Sequence, residues 1–181
     1  MENISTPRLL LRHFKKSDAP AVARIAGDRK IADTMISVPH PYTIEYFNEW
    51  LVKIDTQYKN CSAFHFAITL KSDEKLIGSI ELRDIDREHL QAELSLWIGA
   101  DWWNSGYATE AANAVIEYGF SNLKLNRIYA HRMIRNKTCG TLFNKISMRR
   151  EGILRQRVIK WGIFEDVALY AIVKDDLKEK K

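Results

Sequence analysis

One stretch constrains this chain more than any other: WNSGYATEAANAVIEYGF, residues 103–120. It follows QAELSLWIGA (91–100), an alternating run that reads as a strand. Gly106 stands in a polar turn where a helix would ordinarily begin on a capping side chain. Behind it Ala108, Ala111, Ala112, Val115, Ile116 and Gly119 recur at spacings of three and four. That stripe is helical, and its small residues let the helix axis lie close to a sheet. A helix start carries unpaired N–H groups and positive polarisation, and without a Cβ in the way it can receive a phosphate. A tightly packed core helix behind an ordinary turn glycine would satisfy the same residues, so both readings stand at this point.

The frame around this stretch is compact. A chain of 181 residues with 46% hydrophobic content supports one core, and one domain is expected over 1–181. No run of about 18 apolar residues exists, so no transmembrane helix is expected. MENISTPRLLLRHF lacks a basic region followed by an apolar run, so no secretory signal is expected. Cys61 and Cys139 are the only cysteines and lack metal-ligand spacing. A reduced, cytoplasmic protein without disulfides is the economical reading. The histidines show no ligand spacing, His65 and His131 read as structural residues within strands, and no metal is expected.

Net charge is +5 but uneven: residues 124–160 hold eleven Lys or Arg against one acid, Glu151. This predicts an electropositive face suited to a phosphorylated ligand or a polyanion. No recognised nucleic-acid module accompanies it, so a nucleic-acid partner is not expected.

Along the chain, RLLLRHF (8–14) reads as a strand and 15–28 as a helix with Ser17 at its N-cap and Pro20 in its first turn. VPHPY (38–42) is a break, and 43–58 is a helix on the spacing of Ile44, Phe47, Trp50, Leu51 and Ile54. Strands at 62–70, 75–85 and 91–100 form an antiparallel meander. The helix after Gly106, a strand at 126–134, a short helix at 137–146 and a hairpin of 150–162 with 164–174 follow. KDDLKEKK reads as a frayed tail. The fold class is mixed α/β, a meander feeding a β-α-β unit.

AELSLWIGADWWNSGYATEAANAVIEYGF resembles the central acetyl-CoA motif of the GNAT acetyltransferases, and specifically their Rim-type branch, named for ribosomal-protein N-terminal acetylation. TPRLLLRHF, LIGSIELRDI, LNRIYAHRMIRNKTCGTLF, REGILR and EDVALYAI match that branch in order, over nearly the whole chain. The family's Gln/Arg-x-x-Gly-x-Gly/Ala pattern falls on 103–108, where Gly106 and Ala108 fit and Trp103 departs. The resemblance implies a GNAT fold: a mostly antiparallel sheet with splayed central parallel strands and flanking helices. It implies that the turn of Trp103, Asn104, Ser105, Gly106, Tyr107, Ala108 and Thr109 cradles the diphosphate of acetyl-CoA. It also implies that the pantetheine arm pairs with backbone near Leu96, Trp97 and Ile98. Asn136 matches the family's cofactor-touching asparagine and also suits a helix N-cap. Phe143 and Lys145 would lie on the cofactor's other side.

Acetyl transfer to an amine needs a neutral nucleophile, a stabilised oxyanion and a protonated leaving thiolate. Near pH 7.4 an α-amino group of pKa about 7.8 is roughly 30% neutral, a lysine of pKa about 10.4 only about 0.1%. Glu93, on the cofactor strand, is the candidate base, acting directly or through water, with a structural glutamate bonded to backbone or an arginine as the equal alternative. Many family members protonate the thiolate with a tyrosine seven residues after the asparagine, but here that position is Phe143. The Rim branch often has a serine three residues after it, and here that is Cys139, the candidate acid. The acceptor implied is a primary amine, of a protein N-terminus or of a small molecule, amine-bearing antibiotics included. Residues 28–45 and 85–91 are expected to shape its pocket, with Trp97 facing it. A homodimer is compatible with the sequence. A non-catalytic coenzyme A-binding sensor or interaction protein is the alternative from a different class.

Overall fold

Leu9 and Leu11 are buried while Leu10 and Arg12, which alternate with them, are half-buried, a period of two that makes a strand of this segment. Together with central strands buried on both faces, such as Phe64–Leu70, this alternation builds one eight-stranded sheet in a computed structural model that describes residues 2–180. The strands are β1 (Ile4–Ser5), β2 (Leu9–Arg12), β3 (Phe64–Leu70), β4 (Leu76–Asp86), β5 (Gln91–Ile98), β6 (Arg127–Met133), β7 (Arg149–Lys160) and β8 (Ile163–Val173). Their order is β1-β2-β3-β4-β5-β6-β8-β7, and only β5 and β6 pair in parallel. The helices are α1 (Ala19–Ala26), α2 (Arg29–Thr34), α3 (Ile44–Lys59), α4 (Tyr107–Ser121) and α5 (Lys137–Lys145).

The decisive feature lies between the parallel strands. Their pairing joins Gln91, Ala92 and Glu93 to Arg127, Ile128 and Tyr129 and then stops. Beyond it β5 stays bonded to β4 as far as Ile98 opposite Gly78, and β6 stays bonded to β8 as far as Met133 opposite Val167. Each strand is held on its outer side, so the two part and leave a wedge. The expected splayed α/β sheet is therefore what the chain forms.

Two apolar clusters cover the sheet. Leu94 and Ile98 belong to the cluster that includes α4, where Ala111, Ala112 and Val115 are fully buried. Phe47, Leu51 and Ile54 of α3 pack with Val22 and Ile25 of α1, and Trp97 leans on this second cluster. The alternation of β5 thus sends Leu94, Leu96 and Ile98 one way, and Glu93, Ser95 and Trp97 the other.

Several boundaries differ from expectation. The first strand is shorter, and the two-residue β1 pairs with it. The helix expected over 15–28 is instead a 3-10 turn at Lys16–Asp18, then α1, and then α2 after Asp28, whose side chain accepts the Lys30 N–H at 2.9 Å. Ser17 is not a cap. Asp18 precedes α1 without a side-chain cap bond to it; its carboxylate instead closes the 3-10 turn, accepting the Lys15 N–H at 2.8 Å while Arg12 grips both its oxygens at 2.8 Å. One carboxylate thus satisfies a backbone donor and a guanidinium together. Thr43 caps α3 through the Tyr46 N–H. The tail is not frayed over its first residues: Lys174–Lys180 is 3-10, and Asp176 accepts the Val173 N–H and pairs with Arg149. Lys181 lies outside the described residues. Among the described residues no helix is long and apolar enough to cross a membrane.

Candidate active site

A cleft of about 760 Å³ opens along the wedge between β5 and β6, with α4 starting at one end and α5 forming a side. Every residue singled out above as catalytic or cofactor-binding lines it except Ser105. Leu96, Trp97 and Ile98 form its β5 wall, and Asn136, Cys139, Phe143 and Lys145 come from the β6–α5 side.

The turn before α4 is built around two left-handed residues. Asn104 has φ +60° and Gly106 has φ +81°. Gly106 is the N-cap of α4 and provides no capping side chain. The first N–H bonded inside the helix is that of Glu110, to the Gly106 carbonyl at 3.0 Å. The N–H groups of Tyr107, Ala108 and Thr109 therefore have no partner within the helix. A Cβ at Gly106 would be strained by its φ and would sit 3.3 Å from the Arg8 guanidinium. Positive-φ residues beside a helix start form a concave array of N–H donors that fits a diphosphate. Trp103, 41% exposed, fixes the turn to the end of β5 by donating from Nε1 to the Ile98 carbonyl at 2.6 Å. Ser105 points away from the cleft: its hydroxyl donates to the Trp103 carbonyl, and its own carbonyl accepts from Arg8.

Glu93 is buried, and both of its oxygens are committed. Arg83 donates to them at 3.1 and 3.2 Å, and His131 Nδ1 lies 3.1 Å from Oε1. Burial pulls the carboxyl's pKa up, but the His131 and Arg83 contacts outweigh it and hold the pKa below its ordinary value. A carboxylate stabilised in this way is a poor proton acceptor, so the expectation of Glu93 as the direct base is revised. His131, read above as a structural strand residue, belongs to the cleft.

Asn136 caps α5, its Oδ1 accepting from the Cys139 N–H at 3.1 Å, and its Nδ2 donates to the Thr34 carbonyl at 3.3 Å. Phe143 is buried against Tyr170, with ring centres 5.1 Å apart. Cys139 faces the cleft, yet the protein packed around its sulfur pushes the thiol up to about 12, against a lowering by Arg132. An ordinary thiol titrates near 8.5, so passing its proton to a departing thiolate would be uphill by about 4–5 kcal/mol. Cys139 suits a hydrogen-bond donor better than an acid.

Part of the basic segment is paired, while Lys124, Arg150, Arg155 and Arg157 remain exposed. Arg127 pairs with Glu151, Arg135 with Asp33 and Glu165, and Arg149 with Asp176. Lys160 is buried. Lys137 and Lys145 stay exposed on the cleft wall. The basic residue closest to the turn is one the motif did not single out: Arg8, 4.4 Å from the Tyr107 ring centre.

On the α1–α3 side a second cavity, of about 290 Å³, meets the cleft across Ser95, Leu96 and Trp97. Tyr42, Tyr46, Trp50 and Trp97 give it aromatic walls. Residues within 28–45 line it, but 85–91 do not, because that segment lies at the β4–β5 hairpin end, away from the wedge. Instead α3, β3 and β4 complete it. Its far wall, residues 33–38, is held by distant parts of the chain. Lys160 Nζ donates to the carbonyls of Met35 and Val38 at 2.8 and 3.1 Å, and Trp161 Nε1 donates to Asp33 at 2.8 Å.

The acetyltransferase (GNAT) domain model matches residues 8–149, and the chain belongs to that family. A Bacillus licheniformis protein described as the uncharacterized N-acetyltransferase p20 is 30% identical over 96% of this chain and 97% of its own length. The ribosomal protein uS5-alanine N-acetyltransferase of Escherichia coli is 28% identical over 68% of this chain and 64% of its own. The crystal structure of a GNAT-family acetyltransferase from Bacillus anthracis superposes with a TM-score of 0.83 at 29% identity, covering 96% of this chain and 99% of that one. The protein is an acetyl-CoA-dependent N-acetyltransferase with Rim-type relatives.

Proposed function

We propose that acetyl-CoA lies along the wedge with its diphosphate on the Gly106 turn, and that its acetyl group passes to the primary amine of a compact acceptor entering from the aromatic cavity. The observation that carries this is the shared wall: the cleft and the cavity meet where β5 leaves β6, so donor and acceptor approach one point from opposite faces of a strand. Aromatic walls suit a small amine with an apolar body, and they receive a cationic head by cation–π attraction before it loses its proton. Lys145 and Lys137 on the cleft wall complement phosphate, and Asn136 reaches the same space.

A protein N-terminus with a small first residue is the second reading, favoured by the similarity to the uS5-alanine enzyme. Its α-amine needs less help to become neutral than a lysine does, by about 3.5 kcal/mol.

Thiol release from acetyl-CoA, followed with 2-phenylethylamine, spermidine, lysine and an alanine-initiated peptide, separates these. The proposal expects 2-phenylethylamine to turn over, and Tyr46→Ala, which touches the cavity but not the cleft, to raise the acceptor KM while leaving acetyl-CoA affinity unchanged. Turnover of the peptide alone would establish the second reading. Release with none of the four would overturn both.

A further inference from the structure

A row of polar side chains crosses the sheet beneath the meeting point of cleft and cavity. His65 Nδ1 lies 2.5 Å from Glu81, Glu81 lies 3.3 Å from Arg83, Arg83 grips Glu93, and Glu93 meets His131. The row ends in the cleft. Arginine does not give up its proton, so no proton runs along the whole row. Arg83 instead keeps Glu93 ionised and fixed, and Glu93 in turn orients the His131 ring.

We infer that His131 takes the acceptor amine's proton and returns it to the leaving thiolate, with Glu93 as the positioning residue behind it; this rests on the acetyl transfer proposed above. Three observations carry it. His131 donates through Nδ1 to a carboxylate, which leaves a lone pair on Nε2, and Nε2 has no hydrogen-bond partner among the described residues. The ring is 19% exposed and lines the cleft. Its register places it at the opening: pairing ends at Glu93 opposite Tyr129, and Ser95 and His131, two positions on, are the next residues on that same face as the strands part.

The step balances without another reactant. The amine lone pair forms a bond to the thioester carbonyl carbon, its N–H proton passes to Nε2, and the carbonyl π pair moves onto oxygen. As that oxyanion collapses, the carbon–sulfur bond breaks and its electron pair leaves with the thiolate. The imidazolium returns its proton to that sulfur. The products are an amide and a free thiol, and His131 ends neutral. One shuttle thus serves a cleft in which Phe143 has no proton to give and Cys139 is the weaker acid.

The test combines kinetics and NMR on the intact chain. With acetyl-CoA and 2-phenylethylamine or the alanine-initiated peptide, His131→Gln should lower kcat on the order of 10²–10⁴-fold, the usual worth of a positioned acid–base group. Coenzyme A affinity by calorimetry should stay within two-fold. Added imidazole should restore part of the turnover of His131→Ala. Glu93→Gln should lower kcat less, leave KM unchanged, and shift the His131 tautomer. In the wild type, long-range ¹H–¹⁵N correlation should show the proton on Nδ1. Full turnover in His131→Gln, or a wild-type proton on Nε2, overturns the inference. If the wild type acetylates no amine, the transfer reading fails, and the tautomer alone judges the pair: Nδ1–H supports it and Nε2–H retires it.

Discussion

Arg8 and Glu110 join the first strands of the chain to the first turn of α4. Arg8 Nε lies 2.7 Å from Glu110 Oε2, while the Arg8 N–H and the Thr6 hydroxyl share Oε1 at 2.8 and 2.6 Å. The same guanidinium donates to the Ser105 carbonyl at 3.0 Å. A cation is thereby held at the helix start where the diphosphate is proposed to lie. Arg8→Met should weaken coenzyme A binding about three- to ten-fold, the scale of one partly exposed charge-assisted contact. The salt dependence of binding should flatten as well. Calorimetry at low and high salt checks both, and unchanged affinity at low salt would place the phosphates beyond reach of Arg8.

Gly106→Ala forces a side chain into φ +81°. The left-handed conformation costs roughly 1–2 kcal/mol for a non-glycine residue. The melting temperature should fall accordingly, and coenzyme A affinity should fall with it, because the methyl group stands where an anion approaches the bare N–H groups. A folded variant with wild-type affinity would show that the turn only needs its backbone shape.

Cys139 offers a test by reagent. With its thiol pushed up to about 12, its thiolate fraction at pH 8 is on the order of 10³-fold below that of an ordinary thiol. Iodoacetamide should therefore label exposed Cys61 first and Cys139 far more slowly, as mapped by mass spectrometry. Equal rates at the two sites would contradict the packing seen around the Cys139 sulfur. Cys139→Ala should then cost little turnover, because the proton for the thiolate comes from elsewhere.

Acid should loosen the sheet at Glu93. Its folded pKa is depressed, so ionised Glu93 contributes stability that is fully present above the ordinary carboxylate range. That stability is lost as pH falls through the depressed folded value. Melting temperature measured downward from pH 5 should drop more steeply in the wild type than in Glu93→Gln, which has no such proton to gain. Parallel curves would mean that the carboxylate titrates alike in folded and unfolded chains.

The sequence reveals the local devices better than the long-range ones. The Gly106 turn, the alanine stripe of α4, the Asn136 cap and the hairpin spacing are properties of neighbours along the chain, and each is legible there. His131 was not. Its role depends on Glu93, 38 positions away, in a parallel register that no local pattern sets. The charge of the basic segment is only partly legible for the same reason: Arg135 and Arg149 meet acids, Asp33 and Asp176, which lie outside the segment. Ser17 was the cap expected from local chemistry, but the side chain that organises this turn is Asp18, held by Arg12 from another element.

The grip of the β7–β8 hairpin tip on residues 33–38 bears on how acceptor preference can evolve or be engineered. Lys160 and Trp161 hold a wall whose own sequence lies some 125 positions earlier. A segment spanning 28–45 grafted from a relative would arrive without its matching anchors. Lys160→Met keeps the apolar stem but removes the donors to Met35 and Val38. It should raise the acceptor KM and speed hydrogen exchange at 35–38. Unaltered exchange in that variant would mean that the wall stands by itself and can be transplanted alone. The expected result makes pocket wall and hairpin tip a single inheritable unit, so substrate range in this chain would change through paired substitutions far apart in sequence.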